Sequence, residues 1–293
     1  MSKHKDKAAM PQQALQGKLT LVGTPIGNLQ DLSPRALAAL QEADLVAAED
    51  TRHSGLLLQH FQIKKPLLSY YRETEKKRKE TLLTALAAGK RVALVSDAGM
   101  PGICDPGAAI LAKAQAEGFA TDAVPGPCAL IQALVLSGLP TERFLFDGFL
   151  PRGSQLVPYL QTLQGETRTM IFYESPHRVQ SSLQALLTVL GPERQAAVCR
   201  ELTKKFQEVN SGSLAELAAL WQERQPQGEF VLVVAGAAAE AEPSTDWAAV
   251  DAHLQRLLAG GMKHKAAAKE VAGVYDLPVS QVYQRGLALK GEK

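Results

Sequence analysis

The sequence predicts an α/β protein with at least one partly parallel sheet. Short apolar runs rich in Val, Leu, Ile and Ala alternate along the chain with longer amphipathic segments. Turn-forming Gly and Pro directly follow several of these runs. Strands that alternate with helical segments are typical of sheets whose faces are covered by the connecting helices.

Eight segments have the length and composition of strands. In chain order they are LTLVG, ADLVAAED, RVALVSD, TDAVPG, RFLFDGF, RTMIFYES, QAAVCREL and EFVLVVAG. Helices are predicted between them. In SPRALAALQEA, Ser33 is placed as N-cap with Pro34 at the first helical position, and Gly89 ends the helix predicted from TLLTALAAG. The charged RETEKKRKE is predicted to be an exposed loop or the start of a helix.

The chain changes character after the last predicted strand. The segment AAAEAEPSTD (237–246) breaks the strand pattern and is predicted to be a linker. Beyond it, KHKAAAKEVAGVYDLPVSQVYQRGLALK predicts two helices around the turn DLP, with Ser280 able to cap the second. This spacing allows a helix-turn-helix, and a dimerisation or packing element explains it equally well.

Composition narrows the class of protein. A chain of 293 residues with 46% hydrophobic content is long enough to bury one or two substantial cores. Cys104, Cys128 and Cys199 stand far apart, so neither a disulfide framework nor a metal site is predicted, and a reducing cytosol fits. The longest apolar run, FVLVVAGAAA, is too short to span a bilayer, and a cytoplasmic protein without a membrane role is expected.

The net charge of +2 is distributed unevenly. Residues 1–18 carry four lysines and one aspartate, while residues 251–293 carry seven Lys or Arg and four acidic residues. The body between these basic ends therefore carries a net negative charge. Basic ends suit contact with a polyanion, and solvated termini explain the same pattern. Residues 1–17 are predicted to form a disordered basic tail.

Three loops rich in Gly and Pro follow predicted strands: TPIGNL, SDAGMPG and VPGPCAL. None of them matches the Walker A or the GxGxxG phosphate-binding pattern. If the preceding strands are parallel neighbours, the three loops meet at the carboxyl edge of one sheet, where open α/β sheets bind ligands. Loops with so few side chains predict a folded small-molecule ligand. Tight turns that need Gly and Pro are the alternative for each loop taken singly.

Longer stretches of the sequence resemble a known family. The segments VGTPIGNLQDLSPRALAALQEADLVAAEDTRHSGLLLQHF, LVSDAGMPGICDPG, VPGPCA, IFYESPHR and RELTK are similar to the signatures of the ribosomal RNA small subunit methyltransferase I family, within the tetrapyrrole methylase superfamily. The resemblance covers the chain from Lys18 onward. It implies two α/β subdomains, 18–142 and 143–236, with the methyl donor S-adenosylmethionine folded into the cleft between them, and a helical module at 245–293.

The resemblance also implies an activity and its partners. The expected reaction is 2′-O-methylation of the ribose of a cytidine in the decoding region of 16S rRNA, in the small ribosomal subunit. The expected enzyme is a homodimer that acts on RNA and not on DNA. Two alternatives remain open: a methylase of compact porphyrin-like rings, and a non-catalytic RNA-binding protein that has lost its donor site.

Donor contacts are carried over from the family onto matching positions. These positions are Pro25, Ser96, Asp97, Ala98, Gly99, Cys128, Ala129, Tyr173, Glu174 and Leu202. Met100 and Cys104 stand where the family usually has Thr and Ser, so hydroxyl contacts from these two positions are lost. No metal is predicted.

A ribose hydroxyl must be held against the methyl group, and a general base that takes its proton accelerates the reaction. The candidates for catalytic groups are Glu49, Asp50, Arg52, His53, Glu201 and Lys204, with Glu174 as a further candidate base. Helix capping or ion pairing is the alternative for Glu49 and Asp50, and a position on a helix surface is the alternative for His53. No sequence signal selects the base.

RNA contacts are predicted from basic and aromatic residues, which bind phosphates and stack on unpaired bases. The predicted RNA-binding residues are Arg52, Arg178, Lys263, Lys265 and Lys269. Arg200 is a further candidate for holding a phosphate, and His53, Tyr70, Tyr71 and Arg72 are candidates for an RNA-facing surface. Ordinary surface pairing is the alternative for each of the arginines.

Overall fold

The computed structural model describes residues 15–71, 74–238 and 246–291. The chain forms two compact units, the first ending at Ala237 and the second beginning at Ala238. Arg72, residues 1–14 of the predicted tail and most of the predicted linker lie outside the described residues. The tail prediction extends too far, because the first strand already begins at Leu15, which pairs with Phe119.

The first unit begins with a sheet of five parallel strands in the order β3-β2-β4-β1-β5. The strands are β1 (Leu15–Val22), β2 (Leu45–Ala48), β3 (Leu67–Ser69), β4 (Arg91–Val95) and β5 (Phe119–Val124). The helices between them are α1 (Pro34–Glu42), α2 (Thr51–His60), α3 (Glu75–Ala87) and α4 (Ala108–Ala116). Side chains of α1 and α2 pack on one face of the sheet, and those of α3 and α4 pack on the other.

The second sheet of this unit is mixed, in the order β6-β7-β10-β8-β9. Its strands are β6 (Phe144–Phe149), β7 (Thr169–Glu174), β8 (Gln195–Arg200), β9 (Glu208–Ser213) and β10 (Phe230–Val234). Strands β6 and β7 are parallel, and the other neighbours are antiparallel. One face is covered by α6 (Leu156–Thr162), α7 (Val179–Leu190) and α8 (Leu214–Gln222), and the other by α5 (Ala129–Ser137).

Several local predictions are confirmed, and two strands were missed. The Ser33 side chain caps α1 by accepting from the Ala36 N–H, with Pro34 at the first position, and Gly89 follows the end of α3 with φ +80°. Strands β3 and β9 were not predicted. Both lie at a sheet edge, where β3 has only three residues and β9 is the largely polar EVNSGS, so neither has an apolar run that marks it as a strand.

The second unit contains three helices, α9 (Trp247–Ala259), α10 (His264–Val274) and α11 (Val279–Gly291). Its core includes Leu254, Val271 and Val282. The prediction that Ser280 caps α11 is wrong. The Pro278 carbonyl accepts the first helical hydrogen bonds, and α11 begins at Val279, so Ser280 already lies inside the helix. No helix in the described part of the chain is long and apolar enough to cross a bilayer.

Two glycines of this unit predict opposite effects of the same substitution. A Cβ at Gly286 in α11 would lie 2.5 Å from His264 Nε2 and 2.7 Å from a Leu254 methyl carbon, so Gly286→Ala is expected to destabilise the helices by about 1–3 kcal/mol. A Cβ at Gly273 in α10 meets nothing within 4 Å. Gly273→Ala is therefore expected to stabilise α10 by about 1 kcal/mol through helix propensity. Amide hydrogen exchange of α9 to α11 in the full chain measures both effects, and equal protection in the two variants would contradict this packing.

Candidate functional site

The three loops rich in Gly and Pro leave the same edge of the first sheet. They follow β1, β4 and β5, which are adjacent and parallel, as the ligand prediction requires. Backbone hydrogen bonds join the loops to one another. Thr24 N–H donates to the Gly99 carbonyl at 2.9 Å, Gly99 N–H donates to the Thr24 carbonyl at 3.2 Å, and Gly23 N–H donates to the Val124 carbonyl at 3.0 Å. The loops therefore form one rigid floor.

Two of the loops approach each other through glycines. A Cβ at Gly23 would lie 2.6 Å from the Gly126 Cα, and a Cβ at Gly126 would lie 2.8 Å from the Gly23 Cα. The same added Cβ at Gly23 would lie 2.7 Å from the Met100 sulfur. Because backbone atoms cannot yield as a flexible side chain can, both positions require glycine.

A cleft of about 420 Å³ opens above this floor. This volume lies within the range of about 300–1,000 Å³ that is typical of small-molecule sites. The floor loops and their flanks contribute Ile26, Glu49, Asp97, Ala98, Gly99, Met100, Ile103, Cys104, Asp105, Cys128 and Ala129. The second sheet contributes Phe149, Tyr173, Glu174, Ser175, Pro176, Gly228, Glu229, Phe230 and Val231.

Seven of the ten predicted donor contacts line the cleft: Asp97, Ala98, Gly99, Cys128, Ala129, Tyr173 and Glu174. Three do not. Pro25 precedes Ile26, which lines the cleft in its place, and the Leu202 side chain is buried in the core beneath α5. Ser96 is buried, and its hydroxyl lies 3.4 Å from the carbonyls of Ala98 and Gly99, where it supports the loop.

Glu174 is held by a polar network behind the cleft. Its carboxylate accepts from the Ser182 hydroxyl at 2.7 Å and from the Ser175 N–H at 2.8 Å, and it lies 3.5 Å from the Arg178 guanidinium. Arg178 also donates to the carbonyls of Leu150 and Pro151. Because its guanidinium is engaged inside the protein, we infer a positioning role for Arg178 rather than the predicted RNA contact.

Tyr173 joins the second sheet to the helix that follows the third loop. Burial raises the pKa of its phenol above the ordinary value and so favours the neutral form of the group. Its hydroxyl makes a backbone hydrogen bond with Leu130 in the first turn of α5. Cys128, the residue before this helix, and Ala129, its first residue, line the cleft, so the wall includes the amino-terminal end of α5. Cys128 gives this end no side-chain cap.

Asp50 caps a helix, which was the alternative to a catalytic role. Its carboxylate accepts from the Arg52 N–H and binds the Arg52 guanidinium, with both distances 2.8 Å. The side-chain hydrogen bond from Arg52 holds the Asp50 pKa well below its usual range. The Asp50 N–H donates to the Asp97 carboxylate at 2.9 Å, which fixes that cleft residue. His53 is exposed on the same helix, outside the cleft lining.

Glu201 and Lys204 form an ion pair beside the cleft. Lys204 Nζ lies 2.9 Å from Glu201 and 3.0 Å from Glu229, and the Glu201 carboxylate also accepts from the Glu229 N–H. Burial opposes ionisation of Glu201, but the hydrogen bonds from Lys204 and Glu229 outweigh it and lower the Glu201 pKa. An effective general base needs a pKa near the working pH, so this environment disfavours Glu201 as the base.

The other predicted RNA-facing residues fall in different environments. Arg52 has a 90% exposed side chain although it pairs with Asp50, and Tyr71 is partly exposed. The prediction that Tyr70 belongs to an RNA-facing surface is wrong, because its ring is buried and its hydroxyl donates to Glu75. Arg200 is bound to Glu208 at 3.2 Å. Three lysines, Lys263, Lys265 and Lys269, are exposed at the start and along one side of α10.

Known proteins identify the family. A family model described as Tetrapyrrole (Corrin/Porphyrin) Methylases matches residues 18–218, and one described as RsmI C-terminal HTH domain matches residues 244–290. A protein from Synechocystis named Ribosomal RNA small subunit methyltransferase I is 46% identical over 277 residues, covering 94% of this chain and 99% of the relative. The chain belongs to the ribosomal RNA small subunit methyltransferase I branch of the tetrapyrrole methylases.

Two further comparisons support this methylase fold. A Thermotoga maritima protein with the same name is 46% identical over 220 residues, covering 75% of this chain and 99% of the relative. The crystal structure of diphthine synthase matches with a TM-score of 0.59 and 17% identity, covering 74% of this chain and 90% of that chain. At this identity the likeness shows the fold alone. As a member of a methylase family, this enzyme is a methyltransferase and requires a methyl donor.

Sequence reasoning missed part of the methylase's cleft. Met100 and Cys104 were set aside because they depart from the family pattern, yet both line the cleft with Asp105. Their position in the second glycine-rich loop was the signal that could have included them. Phe149 and the segment 228–231 gave no such signal, because they reach the cleft from the second sheet, at the end of β6 and around the start of β10.

Proposed function

We propose that the chain uses S-adenosylmethionine to methylate the ribose 2′-oxygen of a cytidine in the decoding region of 16S rRNA, on the small ribosomal subunit in the cytoplasm. The observation that carries the proposal is the 46% identity over 94% of the chain to a relative named for the ribosomal RNA small subunit. Methylation of a porphyrin-like ring has less support. The solved structure of uroporphyrin-III-C-methyltransferase shares only 22% identity and therefore speaks for the fold alone.

The cleft suits a folded donor with a carboxylate, an amine and a nucleoside. S-adenosylmethionine supplies an electrophilic methyl group on a sulfonium. Gly99 lines the cleft without a side chain that would keep such a ligand away from the backbone, and the close contact between Gly23 and Gly126 holds the floor loops together. Cys128 gives the first turn of α5 no side-chain cap, and although Tyr173 bonds the Leu130 backbone there, the partial positive charge of this helix end suits a carboxylate. Asp97 is placed to accept from an amine or a ribose hydroxyl.

Proton removal from the acceptor is assigned to Glu49. Of the seven candidate residues, all within the described part of the chain, only Glu49 and Glu174 line the cleft, and the Glu174 carboxylate is held by Ser175, Ser182 and Arg178. Asp50 is committed to the cap of α2, and Glu201 is committed to Lys204. Glu49 follows β2 at the carboxyl edge of the first sheet, next to the loop that carries Asp97. Its carboxylate would take the proton of the 2′-hydroxyl as the new O–CH₃ bond forms and the S–CH₃ bond of the sulfonium breaks, with the donor leaving as a neutral thioether.

The first test is transfer of labelled methyl from S-adenosylmethionine to small ribosomal subunits isolated from cells that lack this ribose methylation, followed by mapping of the modified nucleotide. The proposal expects label at one ribose 2′-oxygen in the decoding region. Donor binding without transfer to subunits or RNA would reject the acceptor, and porphyrin-like rings would then be tested. Absence of donor binding would favour the non-catalytic RNA-binding alternative.

We further propose that the enzyme is a homodimer that associates through α5. Ile131, Val135 and Leu136 form an exposed apolar surface on this helix. This surface borders a shallow hollow that also reaches Pro125 and Cys128 of the third loop. Apolar side chains grouped in this way mark a protein contact more often than chance exposure does.

Charge on this surface is expected to separate the protomers. Val135→Glu should give a monomer at micromolar concentrations at which the wild-type chain is a dimer, because the carboxylate would be buried in an apolar contact. Leu56→Glu is the matched control, since Leu56 on α2 is also 67% exposed but lies on a different helix. Sedimentation velocity measures both variants. A Val135→Glu dimer as stable as the wild type would place the interface elsewhere.

The helical unit is proposed to bind the RNA backbone through Lys263, Lys265 and Lys269. Reversing all three to glutamate should weaken RNA binding on the order of tenfold and reduce the slope of log affinity against log salt by up to about 3. Donor affinity should be unchanged. Asp97→Ala is the complementary variant, expected to weaken donor binding and leave RNA binding intact. Titrations of each ligand measure the effects, and equal loss of donor affinity in both variants would contradict two separate sites.

A further inference from the structure

An aromatic ring stands at the mouth of the cleft without a role in the proposed reaction. Phe149 is the last residue of β6 and lines the cleft, yet 57% of it is exposed. The next residue, Leu150, is only 2% exposed and belongs to the core under α7. The backbone thus turns one apolar side chain inward and leaves its larger neighbour open to solvent.

A β-bulge directs this ring toward the cleft. Phe146 pairs with Ile171 and Phe149 pairs with Tyr173, so β6 has one residue more than β7 between these pairs. Gly148, within the bulge, has φ +65°, a conformation that favours glycine. Because side chains alternate along a strand, the extra residue turns Phe149 to the same face as Phe146. Both rings accordingly contact Tyr173 edge to face, with centroids 4.9 and 5.7 Å away.

The ring is also held in place from several sides. Tyr173 is fixed by its hydrogen bond with Leu130 and its contact with Phe146. The Leu150 carbonyl accepts from Arg178 at 3.0 Å, which anchors the backbone that follows Phe149. A Cβ on Gly148 would lie 3.0 Å from the Cys104 sulfur, so the backbone that precedes it is closely packed. Binding of a ligand that stacks on Phe149 would therefore cost little conformational entropy of this side chain.

We propose that Phe149 is the stacking platform for the base of the acceptor nucleotide. The inference rests on the proposed function, because it requires RNA as the substrate. A nucleotide drawn out of a structured RNA loses its stacking neighbours, and an exposed aromatic ring restores that contact. Stacking of the base also fixes the attached ribose and hence the direction of its 2′-oxygen.

Phe149 contacts one predicted donor residue, Tyr173, but its sheet and its exposure distinguish it from the donor contacts on the floor. Those contacts lie mainly on the three loops of the first sheet, whereas Phe149 faces the cleft from the second sheet and is open to solvent. A macromolecular substrate has to reach its platform from outside, so an exposed ring at the rim suits the acceptor. Glu49, the proposed base, lines the same cleft.

The test compares three substitutions in the full-length enzyme. Phe149→Ala and Phe149→Leu should lower kcat/KM for methyl transfer to unmethylated small subunits about 5- to 150-fold, because the stacking surface is lost. Phe149→Tyr keeps the ring and should stay within about threefold of the wild type. The dissociation constant of S-adenosylmethionine should stay within about twofold in all three. Phe144→Ala is the matched control, since Phe144 is also partly exposed and lies at the other end of β6, away from the cleft.

Each other outcome identifies a different error. If Phe149→Ala weakens donor binding as much as it slows transfer, the ring belongs to the donor site and the platform is overturned. If Phe149→Leu transfers methyl as fast as the wild type, an aromatic surface is not used and the platform is again overturned. If the wild-type enzyme binds the donor but methylates neither subunits nor RNA, the proposed function fails, and the platform fails with it.

Discussion

Glu49→Gln should reduce methyl transfer to the small subunit by about 10²- to 10⁴-fold, which is the usual contribution of a general base. Glutamine keeps the size and shape of the side chain but cannot accept the proton of the 2′-hydroxyl. Because Glu49 lines the cleft, this change acts at the site itself. Single-turnover transfer of labelled methyl, at saturating donor and subunit, measures the effect on the chemical step.

The matched control is the neighbouring carboxylate. Asp50→Asn leaves the cleft lining unchanged, and asparagine is itself a good helix cap, so transfer should fall only slightly. Donor affinity, measured by calorimetry, should be unchanged in Glu49→Gln. If Glu49→Gln transfers methyl at the wild-type rate while Asp50→Asn does not, the assignment of these two carboxylates must be exchanged.

Gly126→Ala should weaken binding of S-adenosylmethionine about 5- to 150-fold. The new Cβ would lie 2.8 Å from the Gly23 backbone, so the loops after β1 and β5 must separate. Such overpacking typically costs about 1–3 kcal/mol, and here it acts on the floor of the proposed donor site. Calorimetric titration with the donor measures the loss, and thermal unfolding shows whether the fold itself is affected.

Gly165→Ala provides the comparison for this substitution. A Cβ at Gly165 meets nothing within 4 Å, so the same chemical change should leave donor affinity and stability close to those of the wild type. Normal donor affinity in Gly126→Ala, with an intact fold, would show that the donor does not depend on close contact between these loops. That result would reject the assignment of the donor site to the glycine floor.

Much of the fold could be predicted because its signals are local. The cap at Ser33, the end of α3 at Gly89 and the strands that precede the three loops are each encoded within a few residues. Parallel strands place successive loops at one edge, so the sequence predicted that TPIGNL, SDAGMPG and VPGPCAL meet if their strands are parallel neighbours, and the structure shows that they are. The edge strands β3 and β9 escaped prediction because strands at an edge need less apolar surface.

By itself the sequence determined the α/β class, the glycine loops and the resemblance to the methylase family. Only the tertiary structure decided which polar and aromatic residues face the cleft. Glu49 and Asp50 are adjacent in sequence, yet one lines the cleft and the other caps α2. Phe149 reaches the cleft through a bulge in a strand of the other sheet. Such choices depend on packing between segments far apart in the chain, and no local periodicity carries that information.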